Sequence, residues 1–229
     1  MHIRERFDRE LGALRDDILK MAGVVEAELN LALAALDARD AERGREVYEI
    51  DTRVNAARFE IEQRCVSLLV TQQPAARDLR NVVAAMHMIT DLERMGDQAK
   101  GIARVVTRLQ KHPTQPQPVE LKQMGQVVIH MLQQAMLAFA HENVDLARAA
   151  AAQDTEADAL YARVFSQIIW QMAESEQTER VQAAYEILRA ARELERFGDL
   201  ASNIAERVIY MVTGAIEELN PDISEAVEE

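Results

Sequence analysis

The chain has 229 residues, enough for one large domain or two small ones, each with its own core. Lys and Arg number 26 against 39 Asp and Glu, a formal net charge of −13. With no basic cluster to offset it, that charge argues against nucleic-acid binding and for hard cations or a basic protein surface as partners. Aromatic residues are only 4% and Gly and Pro number 8 and 5, which favours helices over strands and turns.

The single cysteine, Cys65, allows no internal disulfide, fits a reducing cytoplasm and is expected in the core. The opening MHIRERFDRE does not read as a signal peptide, and no run of 18 apolar residues occurs.

Helical periodicity dominates from the start. Phe7, Leu11, Leu14, Ile18, Met21 and Val25 alternate spacings of four and three, a narrow seam for packing against other long helices. This first helix is expected to run to about Ala38, where ARDAERG suggests a turn. A second runs from Ala41 to about Thr71, with Val47, Ile50, Val54, Phe59, Ile61 and Leu68 apolar. QQPAARD breaks it, and Pro74 suits the first turn of the third helix, which extends to about Gln110. KHPTQPQP, with three prolines and no apolar cluster, reads as a linker.

Beyond it a fourth helix carries Leu121, Met124, Val128, Met131, Ala135 and Ala138 on one stripe and ends at HENVD. A fifth reaches about Ala173, ESEQ turns the chain, and a sixth runs to about Met211 with Gly214 as its cap. The tail AIEELNPDISEAVEE is acidic and is expected to fray. The expected division is a first repeat at 1–111, a linker at 112–118, a second repeat at 119–214 and the tail at 215–229.

The two halves are related. ITDLERMGDQAKGIARVV (89–106) and ARELERFGDLASNIAERV (191–208) share nine of eighteen positions at an offset of 102 residues, Glu93 matching Glu195. Chance gives about one or two matches at average residue usage. The second helices align as well, DTRVN beginning at Asp51 and DTEAD at Asp154. This is internal duplication.

The repeated string places two carboxylates on one helix face, Glu93 with Asp97 and Glu195 with Asp199. Asp51 with Asn55, and Asp154 with Asp158, have the same spacing on the second helix of each half. If those helices run antiparallel, each half brings four oxygen-bearing side chains together. Such a set suits Mg²⁺, Mn²⁺, Ca²⁺ or iron rather than an N/S zinc site. A lone E-x-x-x-D is most often a solvated face; its repetition in one register is what raises metal binding or a polar core as alternatives. Gly96 and Gly198 lie mid-helix, where a missing side chain lets a neighbour approach the backbone.

Other candidates are weaker. His87 reads as a core or groove histidine, the remaining histidines as scattered, and Trp170 and the methionines as core. No phosphate-cradling glycine loop, H-E-x-x-H or Glu-x-x-His pair occurs, and no nucleophile–base arrangement supports an enzyme.

QPAARDLR (73–80), DLERMGDQAKGIA (91–103), ELERFGDLASNIAERV (193–208) and the starts DTRVN and DTEAD together closely resemble the PhoU family, over roughly residues 5–214. The resemblance implies an all-α fold of two tandem, pseudo-symmetric three-helix bundles forming an elongated six-helix structure. It implies a non-catalytic, cytoplasmic negative regulator of the phosphate-starvation response, held at the inner face of the membrane through its partners. Those would be the ATPase of the phosphate ABC transporter and the phosphate sensor histidine kinase, with a homodimer as the expected assembly. It further implies metal clusters of Fe, Mn, Mg or Zn on the E/D-x-x-x-D pairs, here Asp51 and Asn55, Glu93 and Asp97, Asp154 and Asp158, Glu195 and Asp199. Asn55 stands where the second half has Asp158, so a weaker first site is expected. The second half also lacks a counterpart of PAARDLR. The alternatives are a metal-binding bundle of other purpose, a structural scaffold, and acidic rows that meet a basic partner directly.

Overall fold

Of the predicted seam of the first helix, Phe7, Leu14, Ile18, Met21 and Val25 are buried and Leu11 is half-buried against the core, and Leu29 continues the stripe on α1 (His2–Ala38). The computed structural model describes residues 2–112, 116–217 and 219, and among them the secondary structure is entirely helical and connecting turn. Part of the expected linker (113–115) and most of the expected acidic tail lie outside the described residues.

The duplication extends to the punctuation of the helices. Arg39 adopts a left-handed conformation after α1, and Asp40 then caps α2 (Ala41–Gln72), its carboxylate accepting from the Glu42 and Arg43 amides at 3.0 and 3.2 Å. Glu142 is left-handed after α4 (Val119–His141), and Asn143 caps α5 (Val144–Ala151) through the Asp145 and Leu146 amides at 3.0 and 3.1 Å. A left-handed residue followed by an Asx cap satisfies donors that a helix start otherwise leaves open.

Two connections differ from expectation. Pro74 sits in the loop after α2, and α3 (Arg77–Leu109) begins three residues later. The predicted fifth helix is interrupted at Ala152 and Gln153, giving α5 and then α6 (Asp154–Glu174). There the Gln153 and Glu156 amides bond three residues back, to Ala150 and Gln153. This is one tightened turn, with Asp154 and Glu156 at the positive end of the new helix. The last helix, α7 (Thr178–Thr213), ends as predicted at Gly214, with φ of +80°.

Helices α1, α2 and α3 pack against one another, as do α4, α5, α6 and α7. The halves meet mainly through α3 and α7. These run antiparallel: the Arg80 guanidinium lies 3.4 Å from where a Cβ on Gly214 would sit, Gly101 faces Glu193, and Arg108 pairs with Glu186 at 3.4 Å. The PAARDLR segment also reaches across. Arg77 binds the Glu142 carboxylate together with Arg15 of α1, while Arg80 lies at the negative end of α7.

Cys65 and the methionines Met88, Met95, Met124 and Met131 are buried as expected. Trp170, read as core, is instead 62% exposed, because the buried stripe of α6 is Ala157, Leu160, Val164 and Ile168 and Trp170 falls beside it. Phe59 on α2 is exposed for the same reason. His87 is exposed too, on the solvent side of α3.

Asp40→Ala and Asn143→Ala are each expected to lower unfolding free energy by about 1 kcal/mol, the usual cost of a lost N-cap. Urea midpoints at unchanged m-value check this; two unchanged midpoints would mean the caps are dispensable.

Candidate functional site: two carboxylate rows

On the first half, α2 supplies Asp51 and Asn55 and α3 supplies Glu93 and Asp97. The group at their centre was not among the predicted residues. Lys100, one turn beyond Asp97, places its Nζ 2.9 Å from Asp51 Oδ2 and 2.6 Å from Asp97 Oδ1, with its side chain 15% exposed. Asn55 donates to the same Asp51 Oδ2 at 3.1 Å. Glu93 is half-buried one turn before Asp97. Burial alone pulls the lysine pKa down, but hydrogen bonds and charge from Asp97 and Asp51 outweigh it and the net shift is upward.

A second unpredicted group closes the site from α1. Glu28 is fully buried, and neither carboxyl oxygen has a hydrogen-bond partner. Burial, then the Asp51 charge, push its pKa up to about 9 against the pull of Lys100, with Asp97 pushing the same way. At neutral pH the side chain is therefore protonated, the form a dry pocket tolerates. Gly96 makes the approach possible: a Cβ there would lie 3.0 Å from Glu28 Oε2 and 3.4 Å from Val54 Cγ1. Gly198 does the same in the second half, where a Cβ would lie 3.2 Å from Asp154 Oδ1 and 3.4 Å from Val128 Cγ1.

The second row has the same frame and different charges. Asp154 is buried, Asp158 and Glu195 are half-buried, and Asp199 is exposed. Glu195 receives Arg192 at 2.6 Å on Oε1, while its Oε2 is buried without a partner. Burial and then the Asp199 charge raise its pKa, with Arg192 opposing and Asp158 adding to the rise. Asp158 is raised by burial. The residue matching Lys100 is Ser202, and the one matching Glu28 is Met131, both buried. Among the described residues no group of three or more His, Cys, Asp or Glu side chains converges closely enough to hold a metal ion.

A further pair of acids lies between the halves. Asp91 and Glu193, each preceding the leucine of its repeated string, occupy matching places on α3 and α7. Asp91 is buried, and burial raises its pKa to about 6 against Arg94 and Arg207, with Glu206 adding to the rise. Glu193 is raised by burial against Arg196 and Arg104, with Asp97 adding to the rise. The facing residue is Gly101, where a Cβ would fall 2.7 Å from Glu193 Cδ, so glycine lets the carboxyl take this position. The signal was present in the aligned strings, where an acid recurs at this position, but nothing in one helix's periodicity says that the site faces another half.

Two copies of the PhoU domain match the chain, at residues 18–106 and 121–208. A phosphate-specific transport system accessory protein PhoU homolog from Pseudomonas aeruginosa is 37% identical over 214 residues, 93% of this chain and 88% of that protein. The phosphate-specific transport system accessory protein PhoU of Escherichia coli is 35% identical over 215 residues, 93% and 88% of the two chains. Among solved structures, PhoU from Pseudomonas aeruginosa superposes with a TM-score of 0.86 at 37% identity, covering 91% of this chain and all of that one. The phosphate transport system regulatory protein PhoU from Streptococcus pneumoniae does so with a TM-score of 0.86 at 32% identity, over 93% and 99%.

The Glu28 carboxyl generates a pH prediction. Between its ordinary value of 4.5 and about 9 the folded chain holds a proton that the unfolded chain has released, so stability falls as pH rises through that window. Glu28→Gln keeps the shape and carries no titrating proton. Its unfolding free energy relative to wild type is expected to improve by about 1 kcal/mol per pH unit across the window. Urea midpoints at pH 6, 7 and 8 test this; parallel profiles would mean the carboxyl is not held neutral.

Proposed function

The chain belongs to the PhoU family, and on that premise we propose that it is a non-catalytic accessory protein of phosphate transport. In this reading it couples the phosphate ABC transporter to inhibition of the phosphate-sensing histidine kinase. The observation that carries the reading is the match of both halves to the PhoU domain, together with relatives named as phosphate-specific transport system accessory proteins that align over more than nine-tenths of the chain.

The physical character of the chain supports action by contact. No helix among the described residues is long and apolar enough to cross a membrane; in this reading the chain works from the cytoplasm and reaches the membrane through the transporter ATPase and the kinase. Its net charge of −13 favours basic partner surfaces and speeds their encounter.

In this reading metal is confined to one half, whose carboxylates would have to draw closer together than they stand to hold it. In the second row Asp158 and Glu195 have raised pKa values, and Asp199 adds to the rise at Glu195. All four ligand candidates there, Asp154, Asp158, Glu195 and Asp199, are carboxylates, a donor set that suits Mg²⁺, Mn²⁺ or iron better than zinc. A bound divalent ion would add to the positive charge that Glu195 takes at present from Arg192.

Deleting the gene in its host is expected to leave phosphate-starvation genes expressed at high external phosphate, and the tagged chain is expected to co-purify with the transporter ATPase. Phosphate-responsive expression that survives the deletion unchanged would sink the regulatory reading.

A further inference from the structure

We propose that the first half carries its cation built in: the Lys100 ammonium occupies the place that family resemblance assigns to a metal, and the row Asp51, Asn55, Glu93 and Asp97 binds none. The inference is independent of the phosphate reading, since it concerns only how one buried row is neutralised.

Three observations carry it. Lys100 Nζ lies between the two helices, 2.9 Å from Asp51 and 2.6 Å from Asp97, so an ion bridging those oxygens would have to occupy the same volume. Asp51 Oδ2 already accepts two hydrogen bonds, from Lys100 and from Asn55 Nδ2, which occupies both lone pairs of that oxygen. Asn55 itself is an amide where the other half has a carboxylate, so the donor set loses a negative charge just where a cation is already fixed.

The second half shows that the lysine is not required by the frame. Ile18, Met21, Val25 and Leu29 on α1 correspond, 103 residues on, to Leu121, Met124, Val128 and Leu132, and all eight are buried. In the same register Glu28 corresponds to Met131, and on α3 and α7 Lys100 corresponds to Ser202. The ammonium and the buried carboxyl beside it are therefore present together in one half and absent together from the other. Lysine suits this task because its ammonium is a compact charge with three donors on a flexible stem, two of which are used by the aspartates here. Such a cation cannot dissociate, so the contact between α2 and α3 becomes independent of metal supply.

The test titrates Mn²⁺ into the full chain, stripped with chelator and dialysed, and counts bound ions by calorimetry and by the loss of the free-ion paramagnetic signal. The variants are Asp51→Asn with Asp97→Asn, Lys100→Ser, and all three changes combined. Wild type and the double variant are expected to bind the same number of ions, Lys100→Ser one more per chain, and the triple variant to lose that extra ion. A wild type that loses an ion on Asp51→Asn with Asp97→Asn at unchanged helicity overturns the proposal, as does a folded Lys100→Ser that binds no more than wild type. If Lys100→Ser folds only when Mn²⁺ is added, and the triple variant gains nothing from Mn²⁺, the extra site has been seen through folding. If it does not fold under either condition, the comparison of wild type with the double variant decides alone.

Discussion

Helices α3 and α7 have to be covered on several sides at once, and most of the molecule follows from that constraint. Each packs against the other helices of its own half and against its counterpart across the middle. A helix so enclosed has little solvent face left, and its side chains divide into two kinds. Leu92, Met95 and Ile102 on α3, like Leu194, Phe197 and Ile204 on α7, fill the gaps. Gly96, Gly101 and Gly198 leave room at the closest approaches, where a Cβ would come within 2.7 to 3.2 Å of a neighbouring carboxylate. Glycine mid-helix costs about 0.5–1 kcal/mol against alanine. Overpacking typically costs about 1–3 kcal/mol, the same order as that penalty, and the neighbours that would have to give way are the ends of carboxylate side chains.

The same enclosure governs the charges. Asp91, Glu193, Glu28 and Asp51 are acids in places where a bare carboxylate is expensive, and each is handled differently. Asp51 meets an ammonium and an amide. Asp91 and Glu193 lie within reach of arginines from both α3 and α7. Glu28, fully buried, keeps its proton. Duplication preserved where the helices come close and where the caps stand. It did not preserve the means of neutralisation, because a buried charge can be balanced by a cation, a proton or a hydrogen bond without moving the backbone.

Much of this was legible in the sequence. The ends of α1, α2 and α4, the Gly214 cap, the duplication and the family follow from periodicity, punctuation and repetition, all local or self-referential signals. What was missed depends on how separate helices face one another. Trp170 is large and apolar, as a core residue would be, yet two positions beyond the buried Ile168 it has turned with the exposed Ile169 to face water. The break between α5 and α6 is a single tightened turn inside an alanine-rich stretch, with no Gly or Pro to mark it. Carboxylate spacing finds Glu93 with Asp97 and Asp51 with Asn55, and pairing the second and third helices gathers all four, but it does not find Lys100, a cation a turn farther along α3, nor Glu28, which comes from a third helix. Asn55 marks the break in symmetry in the sequence, and its meaning emerges only beside Lys100, since both are bonded to one oxygen of Asp51.

The asymmetry between the halves also gives PAARDLR a physical role. The segment has no counterpart in the second half, and its arginines act on that half rather than on their own. Arg77 joins Arg15 on Glu142, the left-handed residue that turns α4 into α5, and Arg80 meets the closing turn of α7 at Gly214. These contacts tie the start of α3 to both the beginning of the second bundle's second helical segment and the end of its last helix. A second copy of the motif would have its own targets at the opposite end, but there Arg108 and Glu186 make the crossing, reinforced by Arg189. Each end of the α3–α7 pair is thus fastened by a different set of ion pairs around one continuous apolar seam, so a disturbance at one end need not reproduce itself at the other.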